Sequence, residues 1–428
     1  MRLDQFLSNV LSHLHNLPLV EGALYRDTVV DPENVLLNLF VIFAAAKLSG
    51  EIFHRLHQPA VIGELLAGVV LGGGALGWIE LGEPNASLSE LGAVVLMFMV
   101  GLDTHPSDIR RVGGRSLGVA AAGVALPFAL GGGYVLLSGG TGDESMFVAA
   151  AMAATSVGIT ARVLNELGVA HEIESRIILG AAMIDDILAL IVLAIVSGLS
   201  SGDLSIASIA VLALGALALV GMVGTFGPRV MSGAAPTVER ARVSRGPLVA
   251  SLALCLGLSA LAGTIGLAAI VGAFLAGMAL SEVAARWSLE EQVEPVYELV
   301  TPFFFVITGA HVDPTLFAET PTLGITLAVT GLAIAGKLAG GGGAAFGLGR
   351  RSMGIVGVGM VPRGEVGIIV ASVGLAAGAI STEWYGVIVA MSILTTLITP
   401  PLLKALFGDR GAEAVAGDER RTEEIEGI

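Results

Sequence analysis

Uncharged apolar runs of about twenty residues recur along most of this chain, from residue 34 to residue 406. Each is long enough to cross a hydrocarbon core of roughly 30 Å as a helix. Only 14% of the 428 residues are charged, where soluble domains carry about 25%. A soluble fold of this size is therefore excluded, and the expected class is an all-α polytopic membrane protein.

Thirteen spans are expected, at about 34–54, 60–78, 88–102, 115–137, 145–165, 174–198, 205–228, 246–263, 266–282, 295–310, 322–347, 353–377 and 384–406. The distribution of basic residues tests that count. Seventeen arginines and lysines fall at or after the ends of odd-numbered spans, on the side of the C-terminus, and two, Arg2 and Arg26, precede the first span. Cytoplasmic loops carry the excess of basic residues. The reading is an external N-terminus and a cytoplasmic C-terminus in the inner, or plasma, membrane.

The flanking segments are expected to lie outside the spans. Residues 1–33 read as an extracytoplasmic extension rather than a signal peptide, because Asp4 stands where positive charge is needed. Within it, 3–20 has helical apolar spacing suited to a membrane surface. Residues 407–428 read as a solvated acidic tail. The net charge of −15 argues against nucleic acid as a partner, and membrane lipid is the expected surroundings. Cys255, the one cysteine, sits in an apolar run and supports neither a disulfide nor a metal cluster. Gly340–Gly343 lacks the Gly-Lys-Ser/Thr ending of a phosphate loop, and no His-Glu-x-x-His occurs. No cofactor is expected, nor a nucleotide-binding regulatory domain after the last span.

The chain repeats itself at an offset of about 209 residues. Residues 59–71 match 268–280, with Gly63/Gly272, Ala67/Ala276 and Gly68/Gly277 among the identities. Glu90-Leu91 and Gly101 return as Glu298-Leu299 and Gly309, and Val157-Gly158-Ile159 as Val366-Gly367-Ile368. Seven spans separate the copies, an odd number, so the two halves are inverted. Repeat one is 34–198, the linker helix 205–228, and repeat two 246–406. Inverted repeats place a transport site between the halves near the midplane, lined by discontinuous helices.

Two spans look discontinuous at matching places. One carries Ala154-Thr155-Ser156-Val157-Gly158, the other Val361-Pro362-Arg363-Gly364-Glu365. Pro and Gly break a helix, and the freed backbone can hold ions. In the sixth span Asp185 and Asp186 stand side by side among apolar residues. A charge at that depth costs about 2.5–3.5 kcal/mol on insertion scales, which marks it as functional. Neighbours on a helix point about 100° apart, so one carboxylate suits a cation and proton site and the other a partner on a neighbouring helix. Lys337, the only lysine deep in an apolar run, needs such a carboxylate, and Asp185 or Asp186 is the natural candidate. Arg363 and Glu365 are read as a mainly structural set, pairing with each other or with Glu64 and Glu90. Lys47 and Glu51 are read as a local pair, and His311 as an interfacial residue.

With these residues in place, the chain closely resembles the bacterial and archaeal cation:proton antiporter family, in its NapA-type electrogenic Na+/H+ branch. The carriers are Gln-Pro-Ala-Val-Ile-Gly-Glu-Leu-Leu-Ala-Gly at 58–68, Ala-Thr-Ser-Val-Gly-Ile-Thr-Ala-Arg-Val-Leu at 154–164, Ser-Arg-Ile-Ile-Leu-Gly-Ala-Ala-Met-Ile-Asp-Asp at 175–186, Gly-Lys-Leu-Ala-Gly at 336–340 and Pro-Arg-Gly-Glu-Val-Gly at 362–367. The resemblance implies a thirteen-helix fold, a homodimer, and a core domain moving against a dimerisation domain. It implies that Asp186 carries cation and proton, that Asp185 is its neighbour paired with Lys337, and that Thr155 and Ser156 sit at the crossing of the unwound chains. Gly364 and Glu365 belong to that crossing, and Arg363 and Glu64 balance charge. The transported cation would meet Asp186 first, with Asp185, Thr155 and Ser156 around it. Na+ or Li+ is favoured by the resemblance. A K+/H+ antiporter of the same fold and a cation channel are the alternatives. An intramembrane aspartyl protease is disfavoured, because its two aspartates would come from different helices.

Overall fold

A computed structural model of the chain describes residues 32–56, 58–79, 81–201, 206–240, 244–311 and 320–408. The amphipathic stretch at 3–20 and nearly all of the acidic tail lie outside the described residues. The apolar runs form helices throughout. Among the described residues, eleven segments are long and apolar enough to cross a membrane, one of them, Gly142–Glu166, made of two helices in succession, and Ala60–Leu71 and Val366–Ala376 are shorter apolar helices.

The first half comprises α1 (Pro32–Arg55), α2 (Ala60–Leu71), α3 (Glu83–Leu102), α4 (Pro106–Leu137), α5 (Gly142–Ala153), α6 (Val157–Glu166) and α7 (Ile173–Ser201). A long helix α8 (Ile206–Arg240) follows. The second half comprises α9 (Gly246–Ile265), α10 (Ala269–Trp287), α11 (Leu289–Ala310), α12 (Thr320–Lys337), a π-helical turn at Leu338–Gly342, α13 (Arg350–Gly359), α14 (Glu365–Ala376) and α15 (Thr382–Phe407).

Local chemistry sets several boundaries away from the hydropathy runs. The second span was expected over 60–78, yet α2 stops at Leu71, where Gly72-Gly73-Gly74 follow. The chain then folds back, with the Trp78 and Ile79 amides donating to Leu71 O and Gly77 at φ +64°. The third span starts earlier than expected, with Pro84 in the first turn of α3. Pro suits that turn, where its missing N–H has no helical partner. The linker helix runs twelve residues past 228, through Pro228 and Pro236, to Arg240. The ninth and tenth helices, nearly fused in sequence, are parted by Gly266 at φ +90°. Thr141 and Glu144 form a reciprocal capping box that starts α5.

The helices pack as two bundles. In one, α3 lies between α10 and α11, α2 packs on α1 and α11, and α9 packs on α10. In the other, α4 lies against α5, α7 and α12, and α14 packs on α5 and α15. In the first bundle, positions related by the offset of about 209 residues make matching contacts. A side chain on Gly68 would collide with Val306 O, Gly309 and Ala310 on α11; one on Gly277 would collide with Phe98 O, Gly101 and Leu102 on α3. Positions 98, 101 and 102 are 208 residues before 306, 309 and 310. Likewise Gly63 closes on Ser49 O of α1, and Gly272 on Leu258 O of α9, again 209 apart. Small residues let backbones approach in this way where lipid offers no hydrophobic drive to associate.

Candidate functional site

The second bundle is built around two interrupted helices. In the stretch 154–156, between α5 and α6, and in 360–364, between α13 and α14, the chain leaves helical geometry. Pro362 has no N–H to give a helix, and its carbonyl instead accepts from the Ser156 amide at 2.8 Å. Thr155 Oγ1 donates to Met360 O at 3.4 Å, and Thr160 Oγ1 to Gly359 O at 2.8 Å. Gly364 lies directly on Ser156, so that any side chain there would strike the hydroxyl. Each unwound segment thus satisfies part of the other. Irregular backbone at membrane depth needs such internal partners.

Arg363, fully buried, secures the crossing. Its guanidinium donates to Met152 O, with Nε at 3.1 Å, and to Val361 O. Met152 lies in the last turn of α5, whose carbonyls lack helical partners. A cation there also meets the negative end of the helix dipole. The pairing of Arg363 with Glu64 expected from sequence is not formed: Glu64 lies on α2, with Arg162 Nη2 at 3.9 Å. Arg363 finds its acceptors in the carbonyls freed by unwinding. Glu90 is exposed on α3, two turns past its start. The side chain of Glu365 lies outside the described residues. On α15, Thr396 Oγ1 donates to Arg363 O at 2.9 Å, and Thr395 Oγ1 accepts from the Arg363 amide at 3.3 Å.

Asp185 and Asp186 sit midway along α7, 0% and 5% exposed. Lys337, the last residue of α12 before the π turn, places Nζ 3.2 Å from Asp185 Oδ2, with both side chains fully buried. Of the two sequence candidates, Asp185 is the lysine's partner. The π turn was not foreseen, since 322–347 read as one helix. Gly340 packs on Ala122 O and Gly336 on Pro127, both in α4, so the glycines bring this segment against that helix. Such turns inside α-helices often mark functional sites.

Among the described residues, Asp185 Oδ1 and Ser156 Oγ are buried and accept or donate no hydrogen bond. Two carboxylates, Asp185 and Asp186, and two cations, Lys337 and Arg363, thus share one buried region. Desolvated charges are tolerated when paired and hydrogen-bonded. Replacing a bound proton by one monovalent cation in this set leaves its net charge unchanged.

Three features escaped the sequence reading. Lys47 was expected to pair with Glu51. Its ammonium instead reaches Glu298 on α11, while Glu51 takes Arg55 at 2.7 Å. Thr395 and Thr396 gave no signal among the apolar residues of the last span. Arg162 was counted only as a basic residue at a span end, yet it is buried against Glu64, Glu166 and Tyr297. Its i,i+4 spacing to Glu166 was the one available clue.

A helical bundle with two crossed, broken helices beside a buried aspartate pair defines a polytopic ion-transport fold. The chain belongs to the sodium/hydrogen exchanger family: the model of the transmembrane sodium/hydrogen exchanger matches residues 40–407. It is 38% identical to the Na(+)/H(+)-K(+) antiporter GerN of Bacillus cereus over 86% of this chain and 95% of that protein. It is 36% identical to the high-affinity Na(+)/H(+) antiporter NhaS3 of Synechocystis, over 91% of this chain and 94% of that protein. Among solved structures, the sodium proton antiporter MjNhaP1 from Methanocaldococcus jannaschii shares the fold, with a TM-score of 0.62 at 16% identity, covering 89% of this chain and 99% of that one.

Proposed function

We propose that this protein exchanges Na+ for protons across the membrane by alternating access, with Asp186 as the shared binding group. The observation that carries this reading is the buried Asp185–Asp186 pair, with Lys337 on Asp185. Asp186 binds either a cation or a proton, so loading one releases the other. On this reading the hydroxyl of Ser156 and the second oxygen of Asp185, both buried without a hydrogen bond, supply further oxygens for a small dehydrated cation. Lys337 holds Asp185 when the site is protonated. It is released to give up its own proton when Asp185 turns to the cation, which makes exchange electrogenic. The matched contacts of α2 with α11 and of α10 with α3 support the inverted-repeat reading, with a site between the halves. The basic residues support an inner-membrane protein with its C-terminus in the cytoplasm.

The test is transport in everted vesicles carrying a preformed pH gradient. Addition of Na+ or Li+ dissipates the gradient for an antiporter. A response to K+ equal to that for Na+ would move the assignment to a K+/H+ exchanger, and no response to any of the three would overturn it.

A further inference from the structure

Outside the aspartate site, one buried polar cluster joins the two bundles. Arg162 and Glu166 lie on α6, which continues from the crossing. Ala60 and Glu64 lie on α2, and Tyr297 on α11, both in the other bundle. Arg162 Nε donates to Glu166 Oε1 at 2.7 Å. Its Nη1 donates to the Tyr297 hydroxyl, its guanidinium carbon lies 5.1 Å from that ring's centroid, and Nη2 stands 3.9 Å from Glu64 Oε1. The second oxygen of Glu166 accepts from the Ala60 amide at 2.9 Å, capping the first turn of α2 from across the divide. A carboxylate there satisfies an orphan N–H and meets the positive end of the helix.

We infer that this cluster is a gate latch: Arg162 and Glu166 hold α6 against α2 and α11, closing the site toward their own end of the molecule, and the latch opens whenever the site faces that end. The inference rests on the exchange reading above, and the distribution of basic residues favours the cytoplasm for that end. Its chemistry suits a contact that breaks and re-forms. Apolar packing between bundles could be exchanged for lipid or other packing. A buried guanidinium is satisfied only by partners in defined places, so the closed geometry is favoured discretely. When the bundles part, water enters and rehydrates the same groups, so neither state strands a bare charge. Removing the latch therefore raises the population of the state open toward that end. A ligand's apparent affinity scales with the fraction of protein competent to bind it.

The experiment measures the KM for Na+ separately from each side, in right-side-out and inside-out vesicles, for the wild type, Arg162→Gln and Tyr297→Phe. The wild type alone reports whether the exchange reading stands. With the latch weakened, the KM on the latch side is expected to fall several-fold relative to that on the other side, less for Tyr297→Phe than for Arg162→Gln. A merely structural role would lower the maximal rate and leave the ratio of the two KM values alone. An unchanged ratio in Tyr297→Phe, which removes only a hydroxyl, overturns the inference even if Arg162→Gln fails to fold. As a second measure, Ala60→Cys with Glu166→Cys, in a Cys255→Ser background, is bridged by a short thiol cross-linker carrying a reducible disulfide. Transport is expected to stop on bridging and return on reduction. Undiminished transport by the bridged protein overturns the latch.

Discussion

Adjacent positions on a helix point about 100° apart, so the proposed exchange gives Asp185 and Asp186 different tasks. Asp185 meets Lys337, and the proposed exchange puts the transported ion on Asp186. Asp186→Asn is expected to abolish Na+-driven proton movement while the purified protein stays monodisperse. Asn keeps the volume but carries neither charge nor proton, and losing a buried charge removes an insertion cost. Retained exchange in that variant would reject Asp186 as the carrier. The Lys337–Asp185 pair behaves differently. Breaking a buried pair by removing one partner costs about 3–5 kcal/mol, since the survivor is left uncompensated. Lys337→Ala and Asp185→Asn are each expected to lower thermal stability, and the double variant to lose less than their sum. Strict additivity in unfolding free energy would show that the two are uncoupled.

At the scale of the element, the unwound segments depend on partners outside themselves for their backbone groups. Arg363 bonds the end of α5 through Met152 O and its own neighbour through Val361 O. Arg363→Gln is expected to destabilise the protein by more than an ordinary buried substitution, roughly 2–3 kcal/mol for charge-assisted bonds lost and carbonyls stranded. Arg363→Lys is expected to recover only part, because a point charge cannot reach both carbonyls as a planar fork does. Equal melting temperatures for the wild type and Arg363→Gln would contradict this account. The breaks themselves were legible: Pro362 with Gly364, and Ala154-Thr155-Ser156, announced themselves by residue type. So did the carboxylate pair, because charge is costly in lipid. The partner of Arg363 was not legible. Sequence reasoning looks for a counter-ion, whereas unwinding creates carbonyl acceptors that no residue name records. The end of α2 at Leu71 was hidden for a related reason, since Trp78 and Ile79 keep the run apolar after the helix has stopped. The π turn after Lys337 is likewise set by how closely Gly336 and Gly340 approach α4, which depends on tertiary packing.

For the whole molecule, the orientation of both ends depends on the number of crossings, and α2 is the element on which that number turns. Its twelve residues rise only about 18 Å, short of a core of roughly 30 Å. Yet α2 is packed between α1 and α11, and the segment after it folds back against Leu71 rather than running into lipid. A short helix buried in protein need not match the bilayer alone, because its neighbours supply the rest of the depth. If α2 crosses, the chain passes the membrane thirteen times and nearly all basic residues outside the spans gather on one side. If it does not, every later loop changes sides and Arg55 parts company with the arginines that follow. Impermeant thiol labelling decides between these in a Cys255→Ser background. Leu56, just after α1, and Leu76, just after α2, are both well exposed, at 61% and 51%. Leu56→Cys is expected to react only from the cytoplasm and Leu76→Cys only from outside. Further along, Asp143→Cys should react from outside and Arg240→Cys from the cytoplasm. Reaction of positions 56 and 76 from the same side would remove α2 from the crossings. It would also undo the odd spacing on which the proposed inversion of the two halves depends.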